Sequence, residues 1–189
     1  SREETFSMSD PLYLDGVRKL GDLGYTYDAM VYHPQLFELA GVAKNCPETP
    51  IVIDHLGCIL GTGPYKDQRH TILEFWKGAM TELASCPNTF LKLGGIGMPM
   101  MGFRWDKQDI PATSSQLMEP WEAPIKEMIE LFGPERCMFE SNFPVDKRGA
   151  GYTVLWNAFK KIAKNYSNDE KKWLFHDTAA TAYRLPKIS

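Results

Sequence analysis

Four short, mostly apolar runs are spaced along the chain, at 27–32 (YDAMVY), 51–54 (IVID), 89–93 (TFLKL) and 137–141 (CMFES). Each is too short for a helix and too continuous for a strand with one wet face, so each predicts a strand buried on both sides. Between the runs, apolar residues return at helical intervals. The first helix is capped by Asp10, carries Pro11 in its first turn and Leu12, Val17, Leu20 and Leu23 on its apolar side, and stops at Gly24. Residues 1 to 9 read as an arriving loop. Leu36, Leu39, Ala40 and Ala43 predict a helix ending before Pro47, and Ile72, Phe75, Trp76, Ala79 and Leu83 predict the next. The third run is followed by a long loop, then by a helix bearing Leu117, Trp121, Ile125, Met128, Ile129 and Phe132 that ends at Gly133. A helix over 154–164 follows the fourth run. Ser167 and Glu170 form a capping box for a last helix through Leu174, Phe175, Ala179 and Tyr183.

Buried strands alternating with helices predict an α/β fold with a parallel sheet and right-handed crossovers. Periodicity alone leaves two architectures open. One is half of a (β/α)8 barrel, since a closed eight-stranded barrel takes about 250 residues. The other is a small open doubly wound sheet, but no GxGxxG turn follows any strand, which disfavours dinucleotide binding. A hydrophobic content of 43% over 189 residues is enough for one core, so 1–189 is expected to be a single domain. The net charge of −3 is spread along the chain, which argues against a nucleic-acid or anionic-membrane partner. No apolar stretch approaches the length of a membrane span, and the expected setting is the cytoplasm. Cys46, Cys58, Cys86 and Cys137 are scattered without a CxxC pair and are expected to be structural thiols.

In either parallel architecture the working residues lie at the C-terminal ends of the strands and in the loops beyond. Those positions hold His33 and Gln35, then His55, then Gly94, Gly95 and Gly97, then Glu140, Asn142, Phe143 and Asp146. His70 and His176 fall in helices and are expected to be surface or core residues. Side chains two apart on a strand share a face, so Glu140 lies beneath Asn142, and Lys92 shares a face with Gly94. A carboxylate there needs a partner. Lys92 is the expected one, leaving two readings open: a buried Glu140–Lys92 ion pair, or a catalytic Glu140 tuned by Lys92 and burial. The loop over 98–115, rich in Met and aromatic residues, is expected to act as a lid. His33, His55, Lys92, Glu140 and Asn142 are expected to converge at one end of the sheet.

The runs YHPQL (32–36), PIVIDHLG (50–57), FLKLGG (90–95) and GPERCMFESNFPVD (133–146) together resemble the second amidohydrolase-related family, which includes sugar lactonases, 2-pyrone-4,6-dicarboxylate lactonase and, more distantly, decarboxylases of aromatic acids. The resemblance covers nearly the whole chain and implies that the four strands are the fifth to eighth of a TIM barrel. It implies a hydrolase of small lactones or related esters and amides, using water activated by a carboxylate or a metal. Decarboxylation and an inactive half-barrel are the rivals. His55 matches the sixth-strand histidine and His33 lies near the fifth-strand position. The eighth-strand motif usually reads G-S-D-W-P, whereas here Asn142 stands in place of the Asp and Glu140 in place of the Gly. Asn cannot take a proton, so the implied catalytic set is His55, Glu140 and Asn142, with Glu140 supplying the lost carboxylate. Substrate contacts are expected from His33, Gln35, Tyr65, Lys92, Phe143 and Asp146. One divalent metal such as zinc, held by His33 and His55 with further ligands, and a metal-free site both stay open. The family's first-strand H-x-H pair is absent, so this chain is expected to form a homo-oligomer or to associate with a missing N-terminal half.

Overall fold

The structure, a computed structural model, describes residues 7–186, so most of the predicted arriving loop lies outside it. Four parallel strands form one sheet in sequence order: β1 (Tyr27–Ala29), β2 (Ile51–Ile53), β3 (Thr89–Leu93) and β4 (Cys137–Phe139). A doubly wound sheet reverses its strand order at a switch point. This one does not reverse, as in an arc of a barrel. Tyr27 pairs with Ile51 and Ile51 with Thr89, while Leu91 pairs with Cys137 and Leu93 with Phe139. All four strands were predicted; β3 matches its apolar run, and the other three are shorter than theirs. Beyond Ala29 and Phe139 the backbone leaves the ladder for the turns that carry the candidate site.

The crossovers are α2 (Leu36–Asn45), α3 (Arg69–Ala84) and the pair α4 (Ser114–Met118) and α5 (Glu122–Phe132), with α6 (Tyr152–Ile162) following β4. Their apolar stripes cover the outer face of the sheet. Ile51, Ile53, Leu91, Leu93, Cys137 and Phe139 form the main core there with Leu39, Trp76, Met80, Ile125, Met128 and Phe159. The opposite, inner face carries Asp28, Val52, Phe90, Lys92 and Met138. The chain's end reaches that face: after α7 (Asn168–Lys172) and a π-turn at Trp173–Asp177, α8 (Thr178–Ala182) places Ala179, Ala182 and Tyr183 against Val52 and Met138.

Two expectations need correction. The first helix, α1 (Pro11–Asp22), is capped by Asp10 as predicted, but only Val17 of its apolar stripe is buried, and Leu12 is 81% exposed. It meets the end of α2 through Cys46 and Thr49 and β1 through Tyr13, which leaves Leu20 half-buried and Leu12 and Leu23 facing outward. The 98–115 segment, expected as a lid with little helical or strand pattern, is more ordered than that pattern implied. It contains two 3-10 turns, buries Met98 and Met101, and places Phe103 stacked on Trp105 and edge-on to Trp121, with Arg69 over the Phe103 and Trp121 rings. The four cysteines are buried and free of disulfides, and no helix among the described residues is long and apolar enough to cross a membrane.

Candidate active site

The pairing of Leu93 with Phe139 sets Gly94 level with Glu140, one step past the end of the β3–β4 ladder. From the turn after β2, His55 reaches across Gly95 and hydrogen-bonds Glu140 through Nδ1 to Oε1. Gly95 makes this passage possible. Its φ is +68°, and a Cβ there would lie 2.6 Å from the His55 Cβ. Both partners are mostly buried, with side chains 13% and 16% exposed. Burial alone would lower the His55 pKa, but the bond to Glu140, its charge and the charge of Asp54 outweigh it, so His55 binds a proton more tightly than a free imidazole. The pair therefore favours an imidazolium donating to a carboxylate, and the described residues give Nε2 no hydrogen-bond partner.

Asn142, with φ +49°, turns its amide onto Asp146, donating to Oδ1 at 2.9 Å, and the Gly97 amide donates to Oδ2 at 3.1 Å. Asp146 is fully buried; its Oδ2 ties the loop after β3 to the loop after β4, and its Oδ1 braces the β4 loop from within. Burial pushes its pKa up to about 6, the nearby Glu140 charge adds to the rise, and the Gly97 and Asn142 donors and His55 oppose it.

These shifts fix a pH dependence. A carboxyl whose folded pKa exceeds its unfolded value near 4 binds more protons in the native state between the two, so stability falls as pH rises through that window, by about 3 kcal/mol. His55 acts in the same direction at higher pH: its raised folded pKa contributes stability fully below about 6.5 that is lost as pH climbs through the folded value. Asp146→Asn has one acceptor where Asp146 has two, which costs stability at every pH, but it should lack this fall, so relative to the parent it should gain about 3 kcal/mol between pH 4 and pH 6. Urea titrations at pH 4, 5, 6 and 7 measure this, and a parental pH slope in the variant would show that Asp146 is not the group responsible.

The turn that carries His55 is unusual. His55, Leu56, Gly57 and Cys58 all have positive φ, at +53°, +55°, +67° and +43°. Left-handed backbone costs an L-residue roughly 1–2 kcal/mol, and three of these four have a Cβ. Hydrogen bonds hold the turn: Gly57 N–H to the Asp54 carbonyl at 2.9 Å, Cys58 N–H to the His55 carbonyl at 2.9 Å, and the Trp76 indole N–H to the Leu56 carbonyl at 2.7 Å.

Lys92 departs from expectation. Its ammonium does not pair with Glu140 but with Asp28 at 2.5 Å and Asp54 at 2.8 Å. Lys92 is level with Met138, two positions below Glu140, and extends towards β1 and β2. The Tyr183 hydroxyl donates to Asp28 at 2.5 Å, and the Tyr183 ring lies 5.6 Å from the ammonium. Burial would lower the Lys92 pKa, but the two carboxylates and Tyr183 overcome it and raise it. Asp28, Asp54 and Tyr183 were absent from the predicted site. The strand parity that singled out Lys92 also puts Asp28 and Asp54 on its face, and that signal was available.

His33 is brought to the same end of the sheet but engages other neighbours. Its Nδ1 accepts from the Leu60 amide at 3.2 Å, its backbone N–H donates to the Cys58 carbonyl at 3.2 Å, and its ring meets Tyr65 and Phe75 edge-on at 4.9 and 6.3 Å. Burial lowers its pKa, which suits a neutral imidazole accepting at Nδ1. The Gln35 side chain accepts from the Tyr32 amide at 3.0 Å and caps its own turn, and Phe143 packs edge-on against Tyr152 at 5.1 Å. His70 and His176 are surface residues paired with Glu74 and Asp177. Among the described residues, no three His, Cys, Asp or Glu side chains are grouped to hold a metal ion. The expected metal set of His33 and His55 thus lacks a further ligand from these residues, and each Nδ1 is already engaged.

The amidohydrolase family profile matches residues 3–185. An uncharacterised protein of Sinorhizobium fredii is 37% identical over 93% of this chain and 52% of its own length. An L-fucono-1,5-lactonase of Burkholderia multivorans is 28% identical over 95% of this chain and 58% of its own length. Among solved structures, an amidohydrolase from Burkholderia multivorans with bound zinc superposes with a TM-score of 0.80 at 27% identity, over 95% of this chain and 59% of that one. The chain thus spans little more than half the length of these relatives, and its four strands are half of a barrel. The zinc of that neighbour has no counterpart set of three ligands among the residues described here.

Proposed function

Because the chain belongs to the amidohydrolase family, we propose that its strand ends form the water-activating side of a barrel mouth that hydrolyses a small, sugar-derived lactone. The observation that carries this reading is the His55–Glu140 pair, an imidazole whose hold on its proton is strengthened by the carboxyl side chain hydrogen-bonded to it at the strand ends. His55 Nε2–H donates to the lactone carbonyl oxygen, which makes the carbon electrophilic and stabilises the oxyanion as it forms. The free oxygen of Glu140 takes a proton from water, and the hydroxide attacks the carbonyl carbon. When the tetrahedral intermediate collapses, the ring C–O bond breaks and Glu140 returns its proton to the departing alkoxide, giving the open hydroxy acid. Asn142 and Asp146 keep the two loops in place behind this pair.

The lactonase-named relative favours this chemistry over decarboxylation. The edges of β1 and β4 have no strand partner among the described residues, and pairing there with the remainder of a longer polypeptide or with another chain completes the mouth. A panel of aldono-1,4- and 1,5-lactones, L-fucono-1,5-lactone included, tests the reading by proton release in weak buffer. Turnover of at least one member by the native protein is expected. No rate above the buffer reaction for any member would refute it.

A further inference from the structure

The left-handed turn at 55–58 raises a question the chemistry does not answer: what keeps His55 in a backbone conformation that its Cβ disfavours? Trp76, on α3 and only 1% exposed, donates its indole N–H to the Leu56 carbonyl at 2.7 Å, in the middle of the turn. Leu56 is itself fully buried, so no water can replace that donor. On the other side, His33 holds the far end, where its backbone N–H donates to Cys58 and its Nδ1 accepts from Leu60. Between them Leu36 fills the space beside Gly57. A Cβ on Gly57 would lie 2.9 Å from both Leu36 methyls, so φ +67° and the packing both demand glycine there. A turn strained in itself and held from outside is how a fold fixes one side chain in one direction.

We propose that Trp76 is a positioning residue for the active site: its indole hydrogen bond locks the left-handed turn that aims His55 at Glu140. It lies two helical turns into α3, touches no reacting group and acts through Leu56. The proposal rests on the reading of His55 and Glu140 as the reactive pair, but its test does not need turnover.

The measurement is the proton NMR resonance of the His55 Nδ1–H, assigned by its loss in His55→Gln. A proton shared with a carboxylate is displaced far downfield and broadens away when the bond is not held. In the 189-residue chain this resonance should be present, survive in Trp121→Phe, and be lost or shifted upfield in Trp76→Phe. Trp121 is the control because it is fully buried and its indole nitrogen meets no partner among the described residues, so its replacement changes ring contacts but removes no indole hydrogen bond. Replacing Trp76 with 3-benzothienylalanine, which keeps the ring shape and removes only the N–H, covers the case in which Phe does not fold. In the native protein the same isostere should lower kcat about 10-fold at unchanged KM, as expected for a misdirected catalytic group. An unchanged His55 resonance in the isostere would overturn the proposal. So would failure of the isostere to fold, which would make the bond a structural one, or absence of the resonance from the parent chain. Normal turnover in a Glu140 variant would instead count against the catalytic reading and leave the positioning result standing.

Discussion

Glu140→Gln is expected to lower kcat of the native protein about 100-fold or more at nearly constant KM. Gln keeps the shape of the side chain and can still meet His55, so a lactone should bind as before. It cannot take the proton of the attacking water, and it withdraws the charge that favours the protonated form of His55, so base and electrophile weaken together. Asp146→Asn should affect kcat less, because Asp146 is fully buried and both of its oxygens are already engaged. Initial rates over a range of lactone concentrations decide the point. Near-parental kcat in the Gln variant would move the base elsewhere. Asn142 has no basic oxygen to offer, so the role would pass to Asp146, and the two variants would then exchange their expected ranks.

Removing the charge of Lys92 should give the largest loss of stability. Its ammonium lies between Asp28 and Asp54, at 2.5 and 2.8 Å, with its own side chain 19% and that of Asp54 12% exposed. Lys92→Met keeps the aliphatic length but strands a carboxylate that is nearly out of water, and breaking such a pair costs about 3 kcal/mol or more. Asp28 is more exposed, at 38%, and adds less. Combining Lys92→Met with Asp54→Asn should recover most of the stability, since a neutral amide is far cheaper to bury than a lone charge. Urea denaturation at pH 7 checks both statements. A loss under about 1 kcal/mol at pH 7 would mean that solvent already screens the cluster.

The order of elements and the parallel sheet were legible in the sequence because they depend on local period. Short apolar runs that alternate with helical stripes, bounded by Asp10, Gly24, Pro47 and Gly133, leave little freedom in where a strand or helix begins. The same logic placed His33, His55, Glu140 and Asn142 at strand ends, and parity put Lys92, Glu140 and Asn142 on one face. Parity does not say how far one strand is shifted along its neighbour. That shift depends on cross-strand packing, and it set Lys92 level with Met138, so that Asp28 and Asp54 became its partners and His55 became the partner of Glu140. The left-handed turn was hidden for a related reason. Nothing in the local preferences of His-Leu-Gly-Cys favours four positive φ values, and only the Trp76 indole, the Leu36 methyls and the His33 loop, all distant in sequence, make that conformation the one of lowest free energy. The reach of Tyr183 back to Asp28, across 155 residues of sequence, is of the same kind. Local chemistry chose the elements and their faces, whereas the pairing of charges and the direction of His55 came from contacts that exist only once the strands lie side by side.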